Sequence, residues 1–303
     1  MSFTVLLGAV EQGLIYALVA LALYISYRTL DIADLSTDGT FVLGAACSAA
    51  LTAAGHPVLG LGAAFAAGGL AGCITALLQT KLKIQPILAG IITMTGLYSI
   101  NLMVMGNRSN LPLLKCSTVY TLAEGLLGPA AGVVLSAAAA LVCAAVLAWF
   151  LRTQLGLSLR ATGDNRAMVA ASSINPAFTT LVGLCLANAL VSLSGGLLAQ
   201  YQKFSDSTIG PGMVVIGLAS LIIGEVLTGS ARRGGAVLGV AAAVIGSVVY
   251  RILYAFALTS NVGASNLKLV SAGIVAAAIG WPAVVSWVRL RRKRREEERK
   301  CSR

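Results

Sequence analysis

Three carboxylates, Asp31, Asp34 and Asp38, crowd into residues 30–41 (LDIADLSTDGTF), with Arg28 the one cation nearby. Carboxylates set between long apolar runs cost energy to bury, so they mark either a helix start or a polar path. Both readings fit. Ser36, Thr37 or Asp38 can cap a following helix, and Asp34 and Asp38 can line the inner mouth of a path.

A second constellation fills residues 152–176, RTQLGLSLRATGDNRAMVAASSINP. Asp164 or Asn165 can cap a short helix over 166–172, which ends before Ile174-Asn175-Pro176 because a residue preceding proline avoids helical geometry. A short polar helix parked between two apolar runs suits docking of a soluble partner; the alternative is an ordinary surface loop. A third feature is a pair of segments, 86–101 (PILAGIITMTGLYSIN) and 211–228 (PGMVVIGLASLIIGEVLT). Both start at proline and carry glycine and hydroxyl residues. Interrupted segments in corresponding places of two inverted halves point to a substrate path, with Thr93, Thr95, Asn101, Ser220 and Glu225 as candidates. Glu225 lies close enough to a segment end that snorkelling or pairing explains it equally well.

What is missing narrows the chemistry. No G-x-x-x-x-G-K-[ST] loop occurs, so no phosphate cradle for ATP is built in. No G-x-S-x-G elbow is present. The six cysteines are widely spaced and the one histidine, His56, sits beside Pro57, so neither a metal centre nor a disulfide framework is expected. The chain is not expected to be an enzyme, and energy for any transport comes from elsewhere.

The elements that position these residues are membrane spans. Of the 303 residues 57% are hydrophobic and 11% charged, with mean hydropathy +0.87, against roughly 25% charged in a soluble domain. Nine runs approach the ~20 residues a helix needs to cross a bilayer: about 4–27, 39–54, 57–80, 86–105, 130–151, 177–199, 212–229, 234–257 and 267–288. They predict an all-α polytopic transmembrane bundle over 1–288, with inverted internal repeats, followed by a basic tail over 289–303. The net charge of +11 does not point to nucleic acid, because the tail alone holds +6 and the rest is scattered between apolar runs. The tail suits membrane lipid and a cytoplasmic location. Nine spans then put the amino terminus outside and 17 of the 22 basic residues inside.

The stretch LRATGDNRAMVAASSINP, with LLAQYQKFSDSTIGPGMVVIGLASLIIGEVLTG after the next span, resembles the permeases of branched-chain-amino-acid-type ABC importers. That family has a loop opening Leu-Arg-Ala-x-Gly-x-Asn and closing Gly-Ile-Asn. Here Leu159, Arg160, Ala161, Gly163, Asn165, Ala170 and Ile174-Asn175 match it, while Ser173 replaces the glycine and loosens the expected turn. The segments LDIADLSTDGTFVLGAA, TKLKIQPILAGIITMTGLYSINLMVMG and NLPLL resemble a subgroup paired with lipoprotein-type binding proteins, some linked to aromatic amino acids. The resemblance covers about residues 10 to 280. It implies an inner-membrane importer moving a small solute, an amino acid and for some of the subgroup an aromatic one, by alternating access. It also implies two cytoplasmic ABC ATPases holding ATP and magnesium, an extracytoplasmic binding protein, and a homodimeric or pseudo-dimeric permease. The ATPase would dock on Leu159, Arg160, Gly163, Asp164, Asn165, Arg166, Ala170 and Asn175. The rival class is a secondary transporter driven by an ion gradient.

Overall fold

The structure, a computed structural model, describes residues 3–229 and 235–259, with isolated positions at 272, 273, 276 and 280. The ninth expected run therefore falls almost wholly outside the described residues, and the basic tail lies outside them. The remaining eight runs are all helices. Helix α1 (Phe3–Leu23) continues as a wider π-type turn, Tyr24–Thr29. It is followed by α2 (Ser36–Ala53), α3 (Pro57–Thr80), α4 (Pro86–Val104), α5 (Val119–Leu127) and α6 (Ala131–Phe150). Two short helices come next, α7 (Gln154–Asp164) and α8 (Arg166–Ala171), then α9 (Pro176–Gln202), α10 (Met213–Thr228) and α11 (Ala236–Thr259). Pro57, Pro86 and Pro176 open α3, α4 and α9, where the missing N–H costs nothing and the fixed φ already suits a helix.

Among the described residues, six helical stretches are long and apolar enough to cross a membrane: Thr4–Thr29, Pro57–Thr80, Pro86–Val104, Ala131–Phe150, Pro176–Gln202 and Ala236–Thr259. The pillar among them is α9, whose most apolar window is 72% buried, against 22% for α6. It packs on α3, α2 and α1. Two three-residue strands, β1 (Asn110–Pro112) and β2 (Phe204–Asp206), pair antiparallel and join the 106–118 connection to the segment after α9.

The packing is that of two inverted halves. In one, α2 packs on α3 and on α9; in the other, α10 packs on α11 and on α1; α3 meets α9 as α11 meets α1. The two lead helices run antiparallel: the Ser194 hydroxyl donates to the Ile15 carbonyl, and the Tyr201 hydroxyl donates to Glu11 Oε2. Close glycine approaches hold each half, at different pairs of helices. Gly44 of α2 rests on the Ser192 backbone and Gly224 of α10 on the Ala242 backbone, where a Cβ would collide with a carbonyl oxygen.

This arrangement refines the reading of 39–54 and 212–229 as ordinary spans. The first turn of α2 lies beside Asn188, halfway along α9, and α9 is 27 residues long, about 40 Å. The counterpart of 211–228 is therefore α2, which also begins in mid-bundle. The segment 86–101 opens at the periphery instead, as its proline start alone could not reveal.

Candidate functional site

The site grows from the meeting of the amino termini of α2 and α10. Four N–H groups at a helix start lack partners within the helix and carry the positive end of its dipole. At the start of α2, Asp34 supplies the acceptors. Its Oδ1 accepts from the Ser36 N–H at 2.9 Å and the Ser36 hydroxyl at 2.6 Å, and its Oδ2 accepts from Asn188 Nδ2 at 2.8 Å. The capping position is held by Leu35 without a side-chain bond, so Ser36, Thr37 and Asp38 are inside the helix and none of them is its cap. At the start of α10 the acceptor comes from the other half: Asp38 accepts from Gly212 N–H at 2.9 Å and Val214 N–H at 3.0 Å. One carboxylate thus closes a helix end in its own chain segment, and the next reaches across the junction.

Beside this junction lies a cavity of about 250 Å³ lined by Asp38, Gly39, Val42, Met94, Thr95, Tyr98, Asn101, Ser207 and Pro211. Its walls are largely apolar, with a carboxylate, an amide and hydroxyls set among them. Asn101 Nδ2 donates to the Gly39 carbonyl at 3.2 Å, while its Oδ1 is buried without a hydrogen-bond partner among the described residues. Asp38, Thr95 and Asn101 are thereby brought together, although they come from two helices.

The other residues singled out from sequence lie elsewhere. Asp34 is buried behind the junction at 2% exposure. Thr93 donates to the Ala89 carbonyl and accepts from Thr75 at 3.0 Å, between α3 and α4. Ser220 is buried and donates to the Ile216 carbonyl. Glu225 sits at the far end of α10, 3.0 Å from Arg28 Nε. That pair lines a charged cavity of about 530 Å³ with Tyr24, Arg160 and Asp164.

The 152–176 connection folds as two helices standing at that same end. Thr153 caps α7 through the Gly156 N–H. Leu159 is buried, Thr162 and Thr179 share a 2.8 Å hydroxyl contact, and Gly163 rests on the Thr29 carbonyl where a Cβ would not fit. Asn165 caps α8, its Oδ1 accepting from Met168 N–H at 3.0 Å. Asp164 to Met168 and Ala170 to Ser173 are exposed, Arg160 is half-buried and Asn175 is exposed, while Val169 is buried beneath them. Ser173 adopts φ +62, the left-handed region that favours glycine. Asn188, Tyr98 and Ser207 were not singled out from the sequence. Only Asn188, an amide in a long apolar run, carried a signal that could have marked it.

Comparison with known proteins places this geometry. The family described as the permease component of branched-chain amino acid transport systems matches residues 5–279. The chain is 36% identical over 273 residues to the tyrosine transport system permease protein of Clostridioides difficile (strain R20291), covering 90% of this chain and 89% of that protein. It is 34% identical over 271 residues to an uncharacterised protein of Rickettsia prowazekii (strain Madrid E), covering 88% and 93% respectively. No solved structure matches it. With its apolar helices long enough to span a bilayer, the chain is a multi-pass membrane protein and belongs to the permease components of branched-chain amino acid transport systems.

Proposed function

We propose that the chain is the membrane half of an ATP-driven ABC importer that moves an aromatic or other apolar amino acid into the cell. The observation that carries this reading is the cavity at the junction of α2 and α10, with its apolar walls and its few polar groups. Val42, Met94 and Tyr98 offer a surface for an apolar side chain. Asp38 and the unpartnered Asn101 Oδ1 offer acceptors for an ammonium group, since a carboxylate already taking two N–H bonds still has free lone pairs. The name of the Clostridioides difficile relative, a tyrosine transport system permease protein, agrees with that choice of solute.

The exposed residues of α8, anchored by the buried Val169, are the docking surface for a cytoplasmic ATPase, which binds ATP and magnesium. Asp164, Asn165 and Arg166 make the contact. The α7–α8 end is then cytoplasmic and the β1–β2 end faces the extracytoplasmic binding lipoprotein. The amino terminus lies outside, the carboxyl terminus inside, in a bacterial inner membrane, and two permease copies share the path. Thr93, Ser220, Glu225 and Asp34 support the walls of that path, and Thr95 faces it.

The test is uptake of labelled tyrosine into proteoliposomes containing the permease, its ATPase and its binding protein. Uptake should require ATP and fall at least tenfold for Asp38→Asn. Uptake by the permease alone under a proton or sodium gradient would establish the secondary-transporter reading in its place.

A further inference from the structure

A second charged cavity, of about 430 Å³, lies between the α3–α4 turn and the start of α9, next to α8. Lys83 and Arg166 line it, and no acidic side chain does. Gln79 lines it too, and both polar atoms of its side chain, Oε1 and Nε2, are buried with no hydrogen-bond partner among the described residues. Buried amides are nearly always paired, because an unpaired one forfeits the hydrogen bonds it made to water. Lys83 adds a second cost: it adopts φ +54, a backbone region lysine rarely visits, and such strain is concentrated at ligand clamps. Two cations, an orphaned amide and a strained turn converge on one space.

The surroundings say what kind of anion fits. Leu82, Ile87 and Leu88, on the turn and the first turn of α4, are 66%, 54% and 51% exposed. A soluble anion has no use for an apolar flank, whereas the acyl chains of a lipid do. Basic pockets between membrane helices recognise phospholipid headgroups in this way. We infer that this cavity binds the headgroup of an anionic phospholipid carrying a hydroxyl. The phosphate lies between Lys83 and Arg166, Gln79 Nε2 donates to a phosphate oxygen, and Gln79 Oε1 accepts from the headgroup hydroxyl. Arg166 is the first residue of α8, so lipid composition bears on the orientation of the exposed helix.

Thermal unfolding of the full chain in detergent, titrated with phosphatidylglycerol, phosphatidylcholine or inorganic phosphate, tests this. Phosphatidylglycerol should raise the Tm by about 5 °C, and the other two should leave it unmoved. Lys83→Gln should abolish the rise, which also separates this site from any lipid binding by the basic tail. Gln79→Leu should leave the lipid-free Tm equal or higher, because the orphaned amide is gone, and should at least halve the response to phosphatidylglycerol. A lower lipid-free Tm for Gln79→Leu would show that the amide serves the fold alone and overturn the assignment. An undiminished response in Lys83→Gln would overturn it as well. An equal rise with inorganic phosphate would replace the lipid by a free anion.

Discussion

The two connectors that lead into the junction begin alike and end differently. In the first, Asp34 Oδ1 accepts from the N–H and hydroxyl of Ser36; in the second, Asp206 Oδ1 accepts from the N–H and hydroxyl of Thr208, both at 2.7 Å. The same D-x-[ST] turn thus occurs after α1 and after α9. Four residues beyond each aspartate the halves diverge. The first has Asp38, which binds the start of α10; the second has Gly210, pressed so closely on the Asp38 carbonyl that no side chain fits. One half contributes charge and the other contributes room for it. Identical partners at both positions would put two carboxylates at one point, so a working junction of inverted repeats has to be unequal there.

That inequality can be broken experimentally. Asp38→Ala leaves the Gly212 and Val214 N–H groups without their acceptors and should cost about 3 kcal/mol, since bonds to a charged acceptor are the strong ones. Chemical denaturation in detergent micelles checks it, with Asp206→Ala expected to cost no more than about 1 kcal/mol because its turn is exposed. Equal losses would mean that the halves share the load. Asn188→Leu leaves one oxygen of buried Asp34 unpaired and should cost about 2 kcal/mol in the same assay. Away from the junction the effects shrink. Ser173→Gly relieves a left-handed residue and should stabilise the chain by about 1 kcal/mol. Arg28→Gln removes an ion pair whose arginine is 51% exposed, and solvent screening should hold the loss below about 1 kcal/mol.

Much of the bundle was legible because burial in lipid demands long apolar runs, and those runs set the helices at 57–80, 86–104 and 131–150 within a residue or two. The cap of α8 was legible as Asp164 or Asn165 for a local reason, since a polar side chain three residues before a free N–H needs no tertiary information, and the structure selects Asn165. The glycine-to-serine departure at 173 was legible as a loosened turn and is a strained one. The depth of Asp34 and Asp38 was not. A stretch of eleven residues, 28–38, between two apolar runs reads as a surface connection, and only the register of α2 against α9 places it in mid-bundle. Register between helices is set by side-chain fit, Gly44 against Ser192 among others, and hydropathy is blind to it. The cavity at the junction was half visible: Asp38, Thr95 and Asn101 were marked as polar, whereas Tyr98 and Met94 look like any lipid-facing residues until α4 is laid beside α2.

The small sheet has a mechanical consequence. Strands β1 and β2 are paired from Asn110 opposite Asp206 to Pro112 opposite Phe204, and Leu113 N–H extends the ladder to the Lys203 carbonyl at 2.8 Å. Two strands so bonded cannot slide past each other without breaking the ladder. A tug on the 106–118 connection is therefore handed to the Asp206 turn and, five residues on, to Pro211 in the cavity wall. The sheet acts as a tie-rod, so that a load borne at the rim is felt at the hub.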